Sequence, residues 1–367
     1  MEIIKGKYCD VLNFASDLSP IARNDLLFIS STPALKGRKI AIMPDGHPNG
    51  NGTITGFTMT STDEVILGLE DDSGCGVSVA KIDIKRSNID FDLLDQACHL
   101  IPAGKGRHYI EPGFDFDFTR LKCYEAIKQY LSWPIYIGSL GGGNHFIELD
   151  EDEEGGIYLL VHNGLGVYSS RCKDYYLEKT LKEAGICKEN AKLEDTVISG
   201  KDKDEFLFDM RIFEELCRLN RAYITNVILQ KMGWETLEYV DVCHHFTSEK
   251  DGIIRHGAIS AHKDDVVIIP VNAKDGCLLG FGKGNPDWNY SAPHGGGRLF
   301  SRKQARNTFT LEQYQSQMAA VRSSTIFEEN IDEIPSAYRH LDLIKEAVKD
   351  TMEVKHILRP LYNYKGK

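Results

Sequence analysis

Long apolar runs are missing from this 367-residue chain. No stretch reaches the roughly eighteen consecutive apolar residues of a membrane-crossing helix, and the longest, such as Val266 to Val271, are strand-sized. The N-terminus, Met1-Glu-Ile-Ile-Lys-Gly-Lys, lacks the charged-then-apolar pattern of a signal peptide. A basic excess is also missing. The formal net charge of −11 argues against non-specific coating of nucleic acid. It leaves room for a nucleic-acid enzyme, because metal-holding carboxylates raise the acidic count and a local basic groove survives a negative total. Paired cysteines are absent too: nine are scattered singly, with no CxxC and an odd total. Reduced thiols in a cytoplasmic protein are therefore expected rather than a disulfide framework, and one thiol is free to be a metal ligand. No repeat, low-complexity block or Pro/Ser-rich linker marks a boundary. With 42% hydrophobic residues the chain has ample material for a well-packed core, and by length it is one large domain or two average ones.

The first 85 residues read as short strands and turns, with strands at Lys39 to Met43, Thr53 to Met59, Val65 to Leu69 and Val77 to Ile84. Helical periodicity appears at Phe91 to Ile101, Phe118 to Tyr130 and Ser170 to Ala184, and most strongly at Lys203 to Met232. Further strands are expected at Ile157 to Val161, Leu237 to Val242, Ile253 to Ser260 and Val266 to Val271. Helices at Leu311 to Met318 and Ser336 to Met352 close the chain, the second introduced by Asn330 to Pro335. Strands and helices do not alternate strictly. This predicts an α+β fold, with a mixed or antiparallel β-sheet core, helices packed outside and functional groups on glycine-rich loops.

What is present in abundance is glycine beside histidine. In Ser291-Ala-Pro-His-Gly-Gly-Gly-Arg298, three consecutive glycines suit neither a helix, where each costs about 1 kcal/mol against alanine, nor a central strand. Two readings stand: a tight surface loop with an incidental histidine, or a phosphate lying along the glycine amides, clamped by Arg298 and within reach of His294.

Other loops share this character: Met43-Pro-Asp-Gly-His47, Asp71-Asp-Ser-Gly-Cys-Gly76, Leu140-Gly-Gly-Gly-Asn-His-Phe-Ile-Glu148, Val161-His-Asn-Gly-Leu-Gly166 and Asp241-Val-Cys-His-His-Phe246. Taken singly, each histidine is more often a core residue or a strand-end cap, and Asp72 with Cys75 a turn acid and a buried thiol. Taken together, imidazole, carboxylate and thiolate suit a borderline divalent ion such as manganese, zinc or iron. One Asp, one Cys and three or four histidines suffice for two adjacent ions, an arrangement suited to phosphoryl or nucleotidyl transfer. The residues thus point to a metal-dependent enzyme acting on phosphate esters, with His294 either a ligand or a nucleophile that forms a phosphoramidate. His99, His108, His340 and His356 lie outside glycine loops and carry no assigned role.

The order of these motifs resembles the RtcB family of RNA ligases. The series runs from Met43-Pro-Asp-Gly-His47 through Asp72-Ser-Gly-Cys-Gly76, Gly141-Gly-Gly-Asn-His-Phe146, His162, Asp241-Val-Cys-His244 and Arg255-His-Gly-Ala258. It continues with Ile269-Pro270, Gly282-Lys-Gly-Asn-Pro-Asp-Trp-Asn-Tyr-Ser-Ala-Pro-His-Gly-Gly-Gly-Arg298 and Ser301-Arg302, and ends at Tyr364-Lys-Gly366, covering essentially the whole chain. The resemblance implies a GTP- and Mn2+-dependent ligase that joins a 3′-phosphate or 2′,3′-cyclic phosphate end to a 5′-hydroxyl, in RNA repair or tRNA splicing. It implies His294 as the guanylylated nucleophile and Asp45 as the residue that orients it. Asp72, Cys75, His145, His162 and His244 are then the ligands of one or two metal ions, with Zn2+ an alternative to Mn2+. Asn144, Glu148, Gly295, Gly296, Gly297, Arg298 and Lys365 contact the nucleotide, Glu148 at the guanine edge. The implied partners are broken RNA, tRNA or rRNA among them, and GTP, with no membrane; a protein activator is compatible but not identifiable.

The chain also departs from the family pattern. Gly-Val-Asp-Ile-Gly-Cys-Gly is here Glu70-Asp-Asp-Ser-Gly-Cys-Gly76, and His-Ser-Gly-Ser-Arg-Gly is His162-Asn-Gly-Leu-Gly166, without its arginine. Arg171 is a candidate substitute. His245 replaces an asparagine, which leaves the third histidine ligand as His244 or His245, with Asp241-Val242 favouring His244. Arg-Lys-Gly-Ala has become Arg255-His-Gly-Ala258. The losses cluster around phosphate binding, so the chain reads as a divergent paralogue. Two alternatives stay open: a metal-dependent phosphoesterase or nucleotidyl transferase that has lost ligation, and an inactive RNA- or nucleotide-binding protein.

Overall fold

The computed structural model describes residues 1–48, 54–61, 63–70, 73–104, 116–131 and 137–366. With strands numbered along the chain, one sheet has the order β1 (Glu2–Lys5), β2 (Asp10–Asn13), β3 (Ile40–Pro48), β4 (Ile54–Thr60), β12 (Ile253–His256), β11 (His245–Ser248). A second has the order β10 (Thr236–Cys243), β6 (Gly76–Ile82), β8 (Ile157–Asn163), β7 (Phe146–Glu151), β17 (Met352–Lys365), β15 (Gly276–Gly282), β14 (Val266–Asn272). Two small ribbons pair β5 (Glu64–Ile66) with β9 (Val197–Ser199), and β13 (Ala258–Ser260) with β16 (Ser291–Pro293). Every pairing in the second sheet is antiparallel, and the first adds one parallel pair, β2 with β3. The fold is α+β, as the element pattern predicts.

The second sheet buries one face beneath the 33-residue helix Gly200–Met232, about 50 Å long at 1.5 Å per residue. Ile224 and Ile228 of that helix meet Ile147, Leu149, Leu159 and Val161 of the sheet in one apolar cluster. Gly233, with φ +67°, ends the helix in the left-handed conformation that favours glycine. No helix among the described residues is long and apolar enough to cross a membrane.

Several expected elements change extent. The helix expected over Phe118 to Tyr130 reduces to a single 3-10 turn, Phe118–Arg120, and the four-residue helix Tyr124–Ile127. The strand expected over Ile253 to Ser260 divides into β12 and β13 at Gly257, where φ is +64°. The final helix is only Leu341–Ala347, and Met352 begins β17 instead of ending a helix. A helix at Pro20–Ser30 interrupts the strands expected at the N-terminus; the Ser19 hydroxyl caps it, accepting from the Ala22 amide, and proline occupies its first turn. Val65 to Leu69 is β5 followed by a 3-10 turn at Leu67–Leu69.

One polar side chain pins the sheet ends together. Arg221, on the long helix, is 1% exposed. Its Nε and Nη2 donate to Asp241 at 2.6 and 2.7 Å, and its Nη1 donates to the carbonyls of Gly74 and Asn163 at 2.8 and 2.7 Å. Breaking a buried, fully bonded ion pair by removing one partner costs about 3–5 kcal/mol, because the other charge stays buried. Arg221→Met is therefore expected to lower unfolding free energy by about that amount in urea titration, whereas the exposed pair Arg86–Glu151 changes it by less than about 1 kcal/mol when broken.

Candidate active site

The antiparallel order β10-β6-β8-β7 explains how loops remote in sequence reach one place. His244 follows the end of β10, Cys75 precedes β6, His162 lies near the end of β8, and His145 precedes β7. Alternating strand direction puts all four at the same edge of the sheet, on neighbouring strands about 4.8 Å apart. The register agrees: Gly76 faces both Cys243 and Asn163, and His162 faces Val77 and Phe146. Lys365 is next along this edge, paired with Phe146.

At that edge, ligand atoms of Cys75, His162 and His244 lie within 4.8 Å of one another. Cys75 Sγ is 3.5 Å from His162 Nε2 and 3.7 Å from His145 Nε2, and the Nε2 atoms of His162 and His244 are 3.4 Å apart. The distal nitrogens fix the tautomers. His145 Nδ1 donates to the Leu140 carbonyl at 2.9 Å and His162 Nδ1 to the Asn144 carbonyl at 3.2 Å. Each Nε2 therefore turns a lone pair toward the thiol, the outer-shell arrangement that metal-binding histidines need. Burial favours the neutral imidazoles. It lowers His145 to about 4 and, with repulsion from neighbouring imidazoles, holds His162 and His244 well below the usual histidine range. One soft sulfur and three neutral nitrogens fit a borderline divalent ion. Asp72, the carboxylate of the expected ligand set, lies outside the described residues. Of the two histidines it is His244 whose Nε2 meets Cys75 and His162, while His245 starts β11 in the other sheet. At Gly164 a Cβ would come within 2.9 Å of Cys75 Sγ, so the chain passes the thiol only as glycine.

His294 stands beside this group, its ring centroid 4.9 Å from that of His244. The β13–β16 ribbon delivers it directly after Pro293. Asp45 meets it from β3, within the register shift between Ile42 and His47 that re-aims the strand. One Asp45 oxygen, on a fully buried side chain, accepts from His294 Nδ1 at 2.7 Å and from the amides of His294 and Gly295 at 3.2 Å. Nδ1 thus keeps its proton and Nε2 keeps its lone pair.

The three glycines serve a purpose other than the expected one. Gly295 donates its amide to Asp45 and Gly296 donates to the Pro270 carbonyl, so these two N–H groups do not lie along a phosphate. Their use is close packing. At Gly297, φ is +64° and a Cβ would lie 2.7 Å from the Asp45 backbone. Arg298 is no free clamp either. It donates to the carbonyls of Phe300 and Asp332, to the Tyr338 hydroxyl and to Glu333. It braces the loop.

A cavity of about 910 Å³ joins these parts, lined by His162, His244, His294, Gly295 to Arg298, Asn144, Glu148 and Lys365 among others. Residues that the motifs did not single out complete it. Buried Glu333 gathers Lys365 at 2.7 Å, Arg302 at 2.6 Å and Arg298 at 3.3 Å. Burial alone would raise its carboxyl, but Lys365, Arg302 and Arg298 outweigh that and hold it at about 2. Asn363, on β17, donates to Glu148 at 2.6 Å. Asn220, beside Arg221, donates to the Ser139 carbonyl and to Asn163 and accepts from the Gly138 amide, fixing the loop that leads to His145. Arg221 and Asn220 did leave a sequence signal: they are polar residues on the apolar stripe of the long helix, with Phe213, Cys217, Ile224 and Ile228.

A family model described as "tRNA-splicing ligase RtcB" matches residues 125–366. The chain belongs to the RtcB family. It is 28% identical to the RNA-splicing ligase RtcB of Escherichia coli (strain K12) over 385 residues, covering 94% of each chain. It is 25% identical to the tRNA-splicing ligase RtcB of Aeropyrum pernix over 83% of each. It is also 22% identical to the RNA-splicing ligase RtcB2 of Escherichia coli (strain ATCC 25922), covering 92% of this chain and 90% of that one. Two departures from the RtcB pattern, His245 and His256, prove to be direct register partners across β11 and β12, their rings stacked with centroids 6.4 Å apart. Arg171 does not replace the arginine missing after His162. It is exposed, stacked over Tyr130 at 4.9 Å, and outside the cavity lining of the described residues.

Cys75→Ala and His162→Ala are each expected to weaken Mn2+ or Zn2+ binding by at least the roughly 10–100-fold that even outer-shell changes produce, measured by metal content after dialysis. Cys98→Ala, which alters a buried core thiol, is expected to leave it unchanged. Because burial keeps the imidazoles neutral, bound metal is expected to persist on acidification until the pH approaches 4, the value for His145, rather than escaping near the ordinary 6.5.

Proposed function

We propose that this chain is an RNA ligase that works through a guanylylated His294, joining a 3′-phosphate or 2′,3′-cyclic phosphate end to a 5′-hydroxyl with GTP. The observation that carries the reading is the 2.7 Å bond from His294 Nδ1 to Asp45. A carboxylate that holds Nδ1–H fixes the tautomer, so that the neutral ring carries its lone pair on Nε2, the atom that faces the cavity as nucleophile. Membership of a family whose members bear the name RNA-splicing or tRNA-splicing ligase supports the substrate class.

In this reading Nε2 of His294 attacks the α-phosphorus of GTP. A P–N bond forms, the bond to the β-phosphate oxygen breaks, and pyrophosphate leaves. Asp45 balances the positive charge that the ring acquires, without taking its proton. An oxygen of the RNA 3′-phosphate then attacks the same phosphorus, the P–N bond breaks, and His294 returns to neutral. The 5′-hydroxyl attacks the activated 3′-phosphate, GMP departs, and the hydroxyl proton passes to solvent. A cyclic end is first opened by water. Cys75, His145, His162 and His244 would hold divalent metal, Mn2+ or Zn2+, which when bound supplies positive charge beside the phosphates. Glu148 and Asn144 face the guanylate from the cavity wall, with Lys365 and Arg302 contributing positive charge at its rim. Tethering through the histidine makes the GMP transfer local, and the neutral imidazoles next to His294 leave its lone pair without competition from a fixed positive charge.

The position of Arg171 favours one second reading, a metal-dependent phosphoesterase or nucleotidyl transferase that no longer ligates, because Arg171 stacks on Tyr130 away from the cavity and does not take the place of the missing arginine.

With α-labelled GTP and Mn2+, the wild type is expected to acquire acid-labile label and His294→Ala none. Asp45→Asn is expected to label about a hundredfold more slowly or worse. Adding RNA with 3′-phosphate and 5′-hydroxyl ends then gives joined product. No label on the wild type with metal bound contradicts the guanylylation, and label without joining selects the second reading.

A further inference from the structure

A second carboxyl lies behind Glu148, two residues along the same strand and therefore on the same face of β7. Asp150 is 0% exposed, and neither of its oxygens accepts a hydrogen bond from any described residue. Oxygens of Glu148 and Asp150 and the Cys277 sulfur all lie within 4.8 Å of one another. Glu148 itself is held, since Asn363 donates to its Oε2 at 2.6 Å and the Cys277 thiol approaches its Oε1 at 3.9 Å.

Among the described residues, the elements packed around the pair offer no free cation. From β17 come Asn363 and Lys365, and Lys365 is committed to Glu333 at 2.7 Å. From β15 comes Cys277, which burial and both carboxyls hold protonated. From β8, Leu160 stands opposite Glu148 and Tyr158 opposite Asp150, but the Tyr158 hydroxyl donates to Asp152. Two buried carboxyls this close cannot both ionise; one keeps a proton. Burial first, and then the partner carboxyl, raise Asp150 well above the carboxylate range, and burial lifts Glu148 to about 7.

We propose that Asp150 holds this proton and donates it to Glu148, making Asp150 a positioning residue that keeps Glu148 anionic and fixed in the cavity wall for a purine edge presenting two adjacent N–H donors. The proposal rests on the reading that Glu148 meets the nucleotide base. An oriented carboxylate accepts from two neighbouring donors, as on guanine, and repels the lone pair that adenine presents at the same place. With the proton on Asp150 the pair carries one negative charge. A second proton, which burial makes easier for the pair to gain on the acid side, neutralises Glu148 and removes its acceptors. Guanine-nucleotide affinity therefore falls on the acid side, by up to about tenfold per pH unit.

The test combines infrared difference spectroscopy with calorimetric binding of GTP and ATP to the full chain. A protonated-carboxyl band is expected in the wild type at neutral pH and lost in Asp150→Asn, whose amide still donates to Glu148. Asp150→Asn is expected to keep GTP affinity within about threefold, whereas Asp150→Ala loses at least tenfold for GTP and little for ATP. If Asp150→Ala does not fold, the infrared comparison and Asp150→Asn carry the test. The inference is overturned by the absence of a band difference between wild type and Asp150→Asn, or by an unchanged GTP-over-ATP preference in Asp150→Ala. A bound metal ion that Asp150→Asn releases overturns it as well. A wild type that shows the band but binds no GTP loses the base subsite and the guanylylation reading together, and a wild type that binds GTP but lacks the band loses only the proton pair.

Discussion

The site depends on the fork of Arg221. Its five N–H groups come from one rigid plane, and they reach Asp241, Gly74 and Asn163, three points on three different strand ends. Each point adjoins a proposed ligand: Gly74 precedes Cys75, Asn163 follows His162, and Asp241 stands three residues before His244. A guanidinium cannot rotate one of these bonds without disturbing the others. The spacing of the sulfur and imidazoles is thus set from behind, by a residue that holds the backbone next to them. Placing this on a helix packed across the sheet gives the loops a rigid support, which loops by themselves lack.

Charge is sorted by depth around the cavity. On the side of the proposed ligands the groups are buried imidazoles and a thiol, His145 and His162 turned inward by hydrogen bonds from their outer nitrogens to carbonyls. On the opposite wall, the charges come as compensated clusters: Lys365, Arg298 and Arg302 around Glu333, and Asp332 with Arg302 and Arg306. His294 lies at the boundary and, among the described residues, is the only one of these imidazoles with an ion pair to a carboxylate, that of Asp45. In the proposed reading that placement lets one histidine bear transient positive charge while its neighbours serve as neutral ligands, so role would follow from the partner of Nδ1 rather than from residue type.

Legibility in the sequence followed how local each signal is. Strands β6, β8 and β14 and the long helix were readable, since apolar residues there report burial directly, whereas β10 was readable from its residue types although it is half exposed. The short strands and the Leu341–Ala347 helix were less so: β17 carries Lys355, His356 and Arg359 among its apolar residues, and its burial switches along its length as it passes from one neighbour to another. In the candidate site, glycine beside histidine marked loops that the fold brings to one cavity, because close passage of the backbone demands glycine. The same glycines misled about purpose. Their amides hold Asp45 and Pro270, a pairing of distant segments that no local pattern reports. Glu333 and Asn363 were silent for a similar reason, each being an ordinary residue until the fold brings Lys365 and Glu148 against it.

The measurement that tests the account most directly is X-ray absorption at the metal edge of the Mn2+- or Zn2+-loaded chain. If Arg221 gathers Cys75, His162 and His244 around one centre, the spectrum contains a sulfur scatterer together with imidazole nitrogens in the first coordination shell. A shell of oxygen atoms alone, with neither sulfur nor imidazole, would contradict the proposed centre and the positioning of His294 beside it.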